Sequence, residues 1–200
     1  MRLYSNAMSP YGRKVMTVIH ALGLRDSVEL VAAQPRQRPE EVIPINPMGK
    51  IPVLLTDDGT ALRDSAVIVE YLASEHGGEA LLPATGPERW RNLCQMADAD
   101  GLIDSAVLVK NERARPAGQQ SPDFIAEHLG KIERSLAAIE AQAAGLVGRR
   151  DLGAIAIGCA LGYVPRRVPE HEGLARFAQA AALHRDLLGW PPFAATAPAN

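Results

Sequence analysis

The chain has 200 residues, enough for one large unit or two small ones, and its 47% hydrophobic and 22% charged content is that of a globular protein rather than a disordered or fibrous one. Lys and Arg (21) nearly cancel Asp and Glu (23) and form no basic stripe, which argues against a nucleic-acid partner. No apolar run approaches the ~18 residues of a spanning helix, and Met1-Arg2-Leu3-Tyr4-Ser5 leads straight into structure-forming sequence, so the chain reads as cytoplasmic without a membrane partner.

The first eighty residues alternate strand-like and helical runs. Leu3-Tyr4 opens a strand, residues 10–22 form a helix closed by Gly23, and Val28-Glu29-Leu30-Val31 forms a second strand. A Pro/Gln/Arg-rich stretch over residues 34–39 interrupts the pattern. Residues 52–56 and 60–62 then flank Asp57-Asp58-Gly59, and Asp-Gly between two such runs signals a hairpin. A helix over 65–76 follows, with Ala66, Val69 and Leu72 at helical spacing and Gly77-Gly78 as its stop.

Pro and Gly crowd residues 82–87, the best boundary in the chain. Beyond it four helices are predicted, over 88–115, 122–144, 151–163 and 172–188, and the tail from Ala194 is expected to be loose. In the second helix Ile125, Leu129, Ile132, Leu136 and Ile139 form an apolar seam. The expected organisation is an α/β domain over 1–79, a linker over 80–87 and an all-α domain over 88–200. Cys94 and Cys159 read as reduced core residues, and the five scattered histidines offer no zinc spacing, so no metal is expected.

Three short constellations carry chemistry. At the first strand-to-helix junction stands Ser9-Pro10-Tyr11-Gly12. Ser at the cap and Pro at the first helical position explain helix initiation by themselves. The same turn brings a hydroxyl and free backbone N–H groups to the positive end of a helix dipole, a setting suited to a thiolate. A redox protein on such a unit would carry Cys-Pro-Tyr-Cys here. With Ser and Gly in those places, disulfide exchange through the protein's own sulfur is excluded at this site, yet a serine hydroxyl can still stabilise a substrate's thiolate.

The second constellation is Asn46-Pro47-Met48-Gly49-Lys50-Ile51-Pro52-Val53-Leu54. Pro52 leading into a strand implies either an edge position or a cis peptide, the latter freeing the Ile51 backbone to pair with a peptide-like ligand. Lys50 is either a solvated charge or a ligand for a carboxylate. In the third, Arg63-Asp64-Ser65-Ala66, Asp64 or Ser65 caps a helix, or the pair reads the ammonium and carboxylate of a free amino-acid end.

As a set, Ser-Pro-Tyr-Gly-Arg-Lys-Val, Asn-Pro-Met-Gly-Lys-Ile-Pro-Val-Leu and Asp-Ser-Ala-Val-Ile-Val-Glu-Tyr-Leu, followed by a helical half, resemble the cytosolic glutathione S-transferases over essentially the whole chain. The likeness is greatest to bacterial members that use Ser at the active position and whose substrates are poorly defined. The resemblance implies a thioredoxin-like α/β domain followed by an all-α domain, glutathione as co-substrate, a small apolar electrophile as second partner, and a homodimer. It makes Ser9 the hydroxyl that stabilises the glutathione thiolate, Ile51 the partner of the cysteinyl backbone, Asp64 and Ser65 the readers of the γ-glutamyl end, and Lys50 the partner of a peptide or carboxylate group. Such families usually carry Glu or Gln where Asp64 stands.

Tyr11 and Arg113 are candidates for the electrophile pocket; each also has a plain structural reading, Tyr11 packing on the first helix and Arg113 favouring a helix C-terminus. Asp98, Asp100 and Asp104 read as a solvated or subunit-facing surface. In the helical half the family's Ser/Thr-x-x-Asp capping box is replaced by Asp151-Leu152-Gly153-Ala154, where Asp151 can cap but Ala154 cannot return the bond. Two other classes remain open: a peroxidase or lyase on the same site, and a non-catalytic glutathione-binding or regulatory protein.

Overall fold

The computed structural model describes residues 1–169 and 174–198. It divides into two compact units, one of residues 1–90 with 190–200 and one of residues 91–189.

The first unit is built on a four-stranded sheet. Strands β1 (Arg2–Ser5), β2 (Glu29–Ala32), β3 (Val53–Leu55) and β4 (Ala61–Leu62) are ordered β2-β1-β3-β4. β1 and β2 are parallel, joined through helix α1 (Pro10–Ala21), while β3 runs antiparallel to both β1 and β4. The predicted hairpin is present, pairing Leu54 with Leu62 and Leu55 with Ala61, and Gly59 takes the positive φ of +89° that its turn requires. Helix α2 (Ser65–Glu75) packs against α1, each burying an apolar face that includes Val15, Val18, Ile19, Ile68, Val69 and Leu72. This is the thioredoxin-like order expected from the sequence. Pro52 precedes an internal strand, not an edge, and the Ile51–Pro52 peptide is cis.

The second unit is helical. It contains most of α3 (Pro87–Arg113), then α4 (Pro122–Ala143), α5 (Leu152–Arg167) and α6 (Ala178–Leu188). Of the predicted α4 seam, Ile132, Leu136 and Ile139 are fully buried, whereas Ile125 and Leu129 near the N-terminus are partly exposed. α5 is almost entirely buried and runs four residues beyond its expected end, through Pro165. The predicted start of α6 at Glu172 lies outside the described residues; within them the helix begins at Ala178.

Two expectations are corrected. The chain from Trp190 belongs to the first unit instead of the helical half: a short helix α7 (Pro191–Ala194) packs on α1 and buries Phe193 completely, so the tail is held at least to Thr196. Cys94 is exposed on α3 and not a core residue, although Cys159 is buried. The inward positions around it are taken by Asn92, Gln95 and Met96, and Cys94 falls on the exposed side of the helix.

Candidate functional site

Ser9 is the N-cap of α1. Its backbone is extended (φ −79°, ψ 118°) and its Oγ accepts the Gly12 N–H at 3.0 Å, with Pro10 at the first helical position. A hydroxyl that accepts in this way keeps its own proton for a second partner. The loop before it is pinned by Asn6: Asn6 Nδ2 donates to the Ala33 carbonyl at 3.2 Å, Oδ1 accepts the Met8 N–H at 3.1 Å, and the Asn6 carbonyl accepts the Ser9 N–H at 3.2 Å. Tyr11, one residue into the helix, is half-buried.

The loop that carries Lys50 and Ile51 is organised by a second asparagine. Asn46 is buried, its Nδ2 donates to the Lys50 carbonyl at 2.8 Å and its Oδ1 accepts the Met48 N–H at 3.2 Å, while Gly49 turns the chain at φ +60°. Arg63 ties the same loop to the hairpin by donating to the carbonyls of Ile45 and Ala61 at 3.2 and 3.0 Å. Lys50 is exposed, and Ile51 lies between this turn and β3.

Asp64 is the N-cap of α2, its Oδ1 accepting the Ala66 N–H at 2.9 Å, and Ser65 is the first helical residue, 2% exposed. Both readings of this pair therefore start from the same place, since the cap aligns an exposed carboxylate with a helix N-terminus.

Strand register brings the three constellations to one end of the sheet. Tyr4 of β1 pairs with Val53 of β3, so the C-terminal end of β1, which leads to Ser9, lies beside the N-terminal end of β3, which Ile51 precedes. Leu62 of β4 pairs with Leu54, and the exit from β4 toward Asp64 and Ser65 is at that end too. Arg113 belongs to the other unit, at the end of α3, where its carbonyl accepts from Gln120 Nε2 at 3.1 Å. Asp98 and Asp104 are exposed, Asp100 is half-buried, and among the described residues no group of His, Cys, Asp and Glu is arranged to hold a metal ion. No helix among them is long and apolar enough to cross a membrane.

Sequence reasoning passed over Asn6, Asn46 and Ser5, the last a buried serine at the end of β1. The turn chemistry of Asn-Pro-Met-Gly was a usable signal for Asn46; nothing in the sequence marked Ser5.

Residues 8–75 match the glutathione S-transferase N-terminal domain. The chain is 35% identical over 167 residues to YibF of Escherichia coli strain K12, an uncharacterised GST-like protein, covering 82% of each. Among solved structures it resembles a glutathione transferase family member from Pseudomonas fluorescens Pf-5 with bound glutathione, at 38% identity and a TM-score of 0.94 over 100% of this chain and 99% of that one. A glutathione S-transferase from Methylobacillus flagellatus with glutathione bound is 33% identical, with a TM-score of 0.91 over 99% of both chains.

Proposed function

The chain belongs to the glutathione S-transferase family, and from that premise we propose that it is a glutathione transferase whose Ser9 activates the thiol of glutathione for attack on a small apolar electrophile. The observation that carries this reading is the Ser9 hydroxyl, held at the N-terminus of α1 with its acceptor side engaged by Gly12 and its proton available to a sulfur.

A free thiol with a pKa of ~8.5 is only a few per cent ionised at pH 7, and lowering that value by ~2 units, worth about 3 kcal/mol, makes most of it nucleophilic. The Ser9 O–H donates to the thiolate and the α1 N-terminus adds its partial positive charge; the thiol proton leaves to solvent. Ile51 pairs its backbone with the cysteinyl residue, Asp64 and Ser65 take the ammonium and carboxylate of the γ-glutamyl end, and Lys50 takes a peptide or carboxylate group. Holding the sulfur against the electrophile supplies the remaining acceleration. The glutathione module is the first unit, in which Tyr11 is the candidate for contact with the electrophile, and Arg113 is the candidate in the helical unit. The reading extends to a cytoplasmic homodimer that needs glutathione and no metal.

The test is the ultraviolet thiolate absorbance of glutathione titrated onto the protein from pH 5 to 9, with Ser9→Ala alongside. A thiolate band near neutral pH that weakens in the variant supports the reading. Glutathione that binds without ionising makes the protein a non-catalytic binder, and absence of binding removes both. Turnover of hydroperoxides instead of apolar electrophiles would place a peroxidase on the same site.

A further inference from the structure

Ser5 ends β1 with its side chain buried, 1% exposed, and its Oγ without a hydrogen-bond partner. It lies directly under the first turn of α1. A Cβ built on Gly12 would collide with Ser5 Oγ and would stand 3.2 Å from Ser9 Cβ, so a single point beneath the turn adjoins both serines. Gly12 and Ser5 form one packing unit: the hydroxyl occupies the space that a side chain at position 12 would need. A buried hydroxyl with no partner has surrendered its bonds to water without replacement, and an alanine would remove that cost and leave a gap only one oxygen atom wide.

We propose that Ser5 is a positioning residue for Ser9, its hydroxyl donating to Ser9 Oγ when a thiolate is bound at the head of α1. This rests on the reading of Ser9 as the donor to glutathione sulfur. Ser9 Oγ has two lone pairs and one proton. The Gly12 N–H engages one lone pair, Ser5 engages the other, and the Ser9 proton is then directed to the sulfur. A hydrogen bond received by Ser9 polarises its O–H and strengthens the bond it gives. Neither serine ionises; the proton that leaves is that of the thiol, and it goes to solvent. Arg13 and Lys14, the charged residues that follow on α1, are buried and already engaged with other groups, and they are common to every variant compared.

A packing role and a positioning role predict different outcomes. Removing an unpaired buried hydroxyl leaves the free protein as stable or more so, whereas removing a donor to Ser9 raises the pKa of the bound thiol. The experiment follows thiolate absorbance against pH for glutathione on the wild type, Ser5→Ala, Ser5→Gly, Ser9→Ala and Ser5→Ala/Ser9→Ala, with urea midpoints for each. Ser5→Ala and Ser5→Gly are expected to raise the bound thiol's pKa by about half a unit to one unit, a roughly three- to ten-fold gain in proton affinity. Ser5→Ala is also expected to hold or raise the urea midpoint and to add nothing in the Ser9→Ala background. Wild-type ionisation with unshifted Ser5 variants, or an equal shift when Ser9 is already gone, overturns the proposal alone. A wild type that binds glutathione without ionising it overturns the transferase reading and this proposal with it.

Discussion

Asn92 Oδ1, on α3, accepts the Gly153 N–H of α5 at 2.9 Å. Asp151 Oδ1 accepts from Ala154 at 3.0 Å in the same turn, so the buried end of α5 is capped by its own aspartate and by a neighbouring helix. Asn92 thus satisfies a second orphan donor of the turn, the Gly153 N–H, which is not the N–H that a capping-box side chain at position 154 would reach. The close approach also explains the glycine, since a Cβ at 153 would collide with Gln95 Oε1 and lie 3.3 Å from Asn92 Oδ1. Asn92→Ala leaves a buried N–H unpaired and is expected to cost roughly 1–3 kcal/mol. Gly153→Ala should cost at least as much, because Gln95 is also held by Gln142 at 2.7 Å. Urea unfolding measures both, and two variants as stable as the wild type would refute the shared cap.

Ser9 has a structural and a chemical role that different replacements separate. Ala at an N-cap costs about 1 kcal/mol, whereas Gly costs only a few tenths. Ser9→Gly is therefore expected to unfold close to the wild-type urea midpoint while losing thiolate stabilisation, with kcat/KM lower by something on the order of 100-fold. Ser9→Thr, which keeps the hydroxyl and the cap, should retain most of both. Equal activity in Ser9→Gly and the wild type would remove Ser9 from the chemistry.

How much of this was legible in the sequence follows from the range of each interaction. Ser9, Asp64 and Asp151 are caps, and capping is written within four residues, so Ser9 and Asp151 were legible from local pattern and Asp64 was one of two adjacent candidates with Ser65. The Asp57-Asp58-Gly59 hairpin was equally local. Asn92 on Gly153 and Ser5 under Gly12 depend on segments 61 and seven residues apart meeting in space, and no short-range rule announces them. The C-terminal segment misled for the same reason: the Ala- and Pro-containing sequence from Ala194 reads as a loose tail, and only contacts with distant residues, Arg13 with Phe193 and Thr17 with Thr196, give its described part a fixed place.

Asp64 likewise separates into cap and charge. Asn is as good an N-cap as Asp, so Asp64→Asn should leave the unfolding midpoint unchanged. Losing the carboxylate removes its attraction for the γ-glutamyl ammonium, and an exposed pair of this kind is worth ~1 kcal/mol, or about a five-fold weaker glutathione Kd. Calorimetric titration reads the affinity. If Asp64→Asn binds as the wild type does while Asp64→Ala binds weakly, Asp64 acts on the ligand through the helix end and not through its charge.

Acid stability should carry the signature of Asp186. Its carboxylate accepts from Arg150 at 2.6 and 3.1 Å and from the Gly148 N–H at 3.0 Å, joining α6 to the segment before α5. The Arg150 hydrogen bonds, then that of Gly148, hold its pKa below the ordinary value of 3.8. A carboxyl that ionises more readily folded than unfolded stabilises fully above that ordinary value, and the contribution fades as the pH falls from there through the lower folded-state pKa. Urea midpoints taken from pH 6 down to 2.5 should fall less steeply below pH ~4 in Asp186→Asn than in the wild type. Parallel curves would mean that the ion pair is geometrically present and energetically silent.

Phe193 and Arg13 anchor the end of the chain to the helix that carries Ser9. The guanidinium of Arg13 lies 3.9 Å from the Phe193 ring centroid and donates to the Phe193 carbonyl at 3.4 Å, and Thr17 and Thr196 share a hydrogen bond at 3.0 Å. Phe193 is 0% and Arg13 only 7% exposed, so the arginine's charge is desolvated and depends on these partners. Phe193→Ala empties a buried aromatic site and unpairs part of that charge, a loss of about 3–5 kcal/mol. Phe193→Leu keeps most of the volume and loses the ring face, and its smaller cost isolates the cation–π share, ~1–2 kcal/mol for a desolvated pair. Arg13→Met in each background completes a double-mutant cycle by urea unfolding. A coupling between positions 13 and 193 that is absent from the cycle would reduce the clasp to apolar burial alone, and a Phe193→Ala protein as stable as the wild type would show that α7 does not hold α1 in solution.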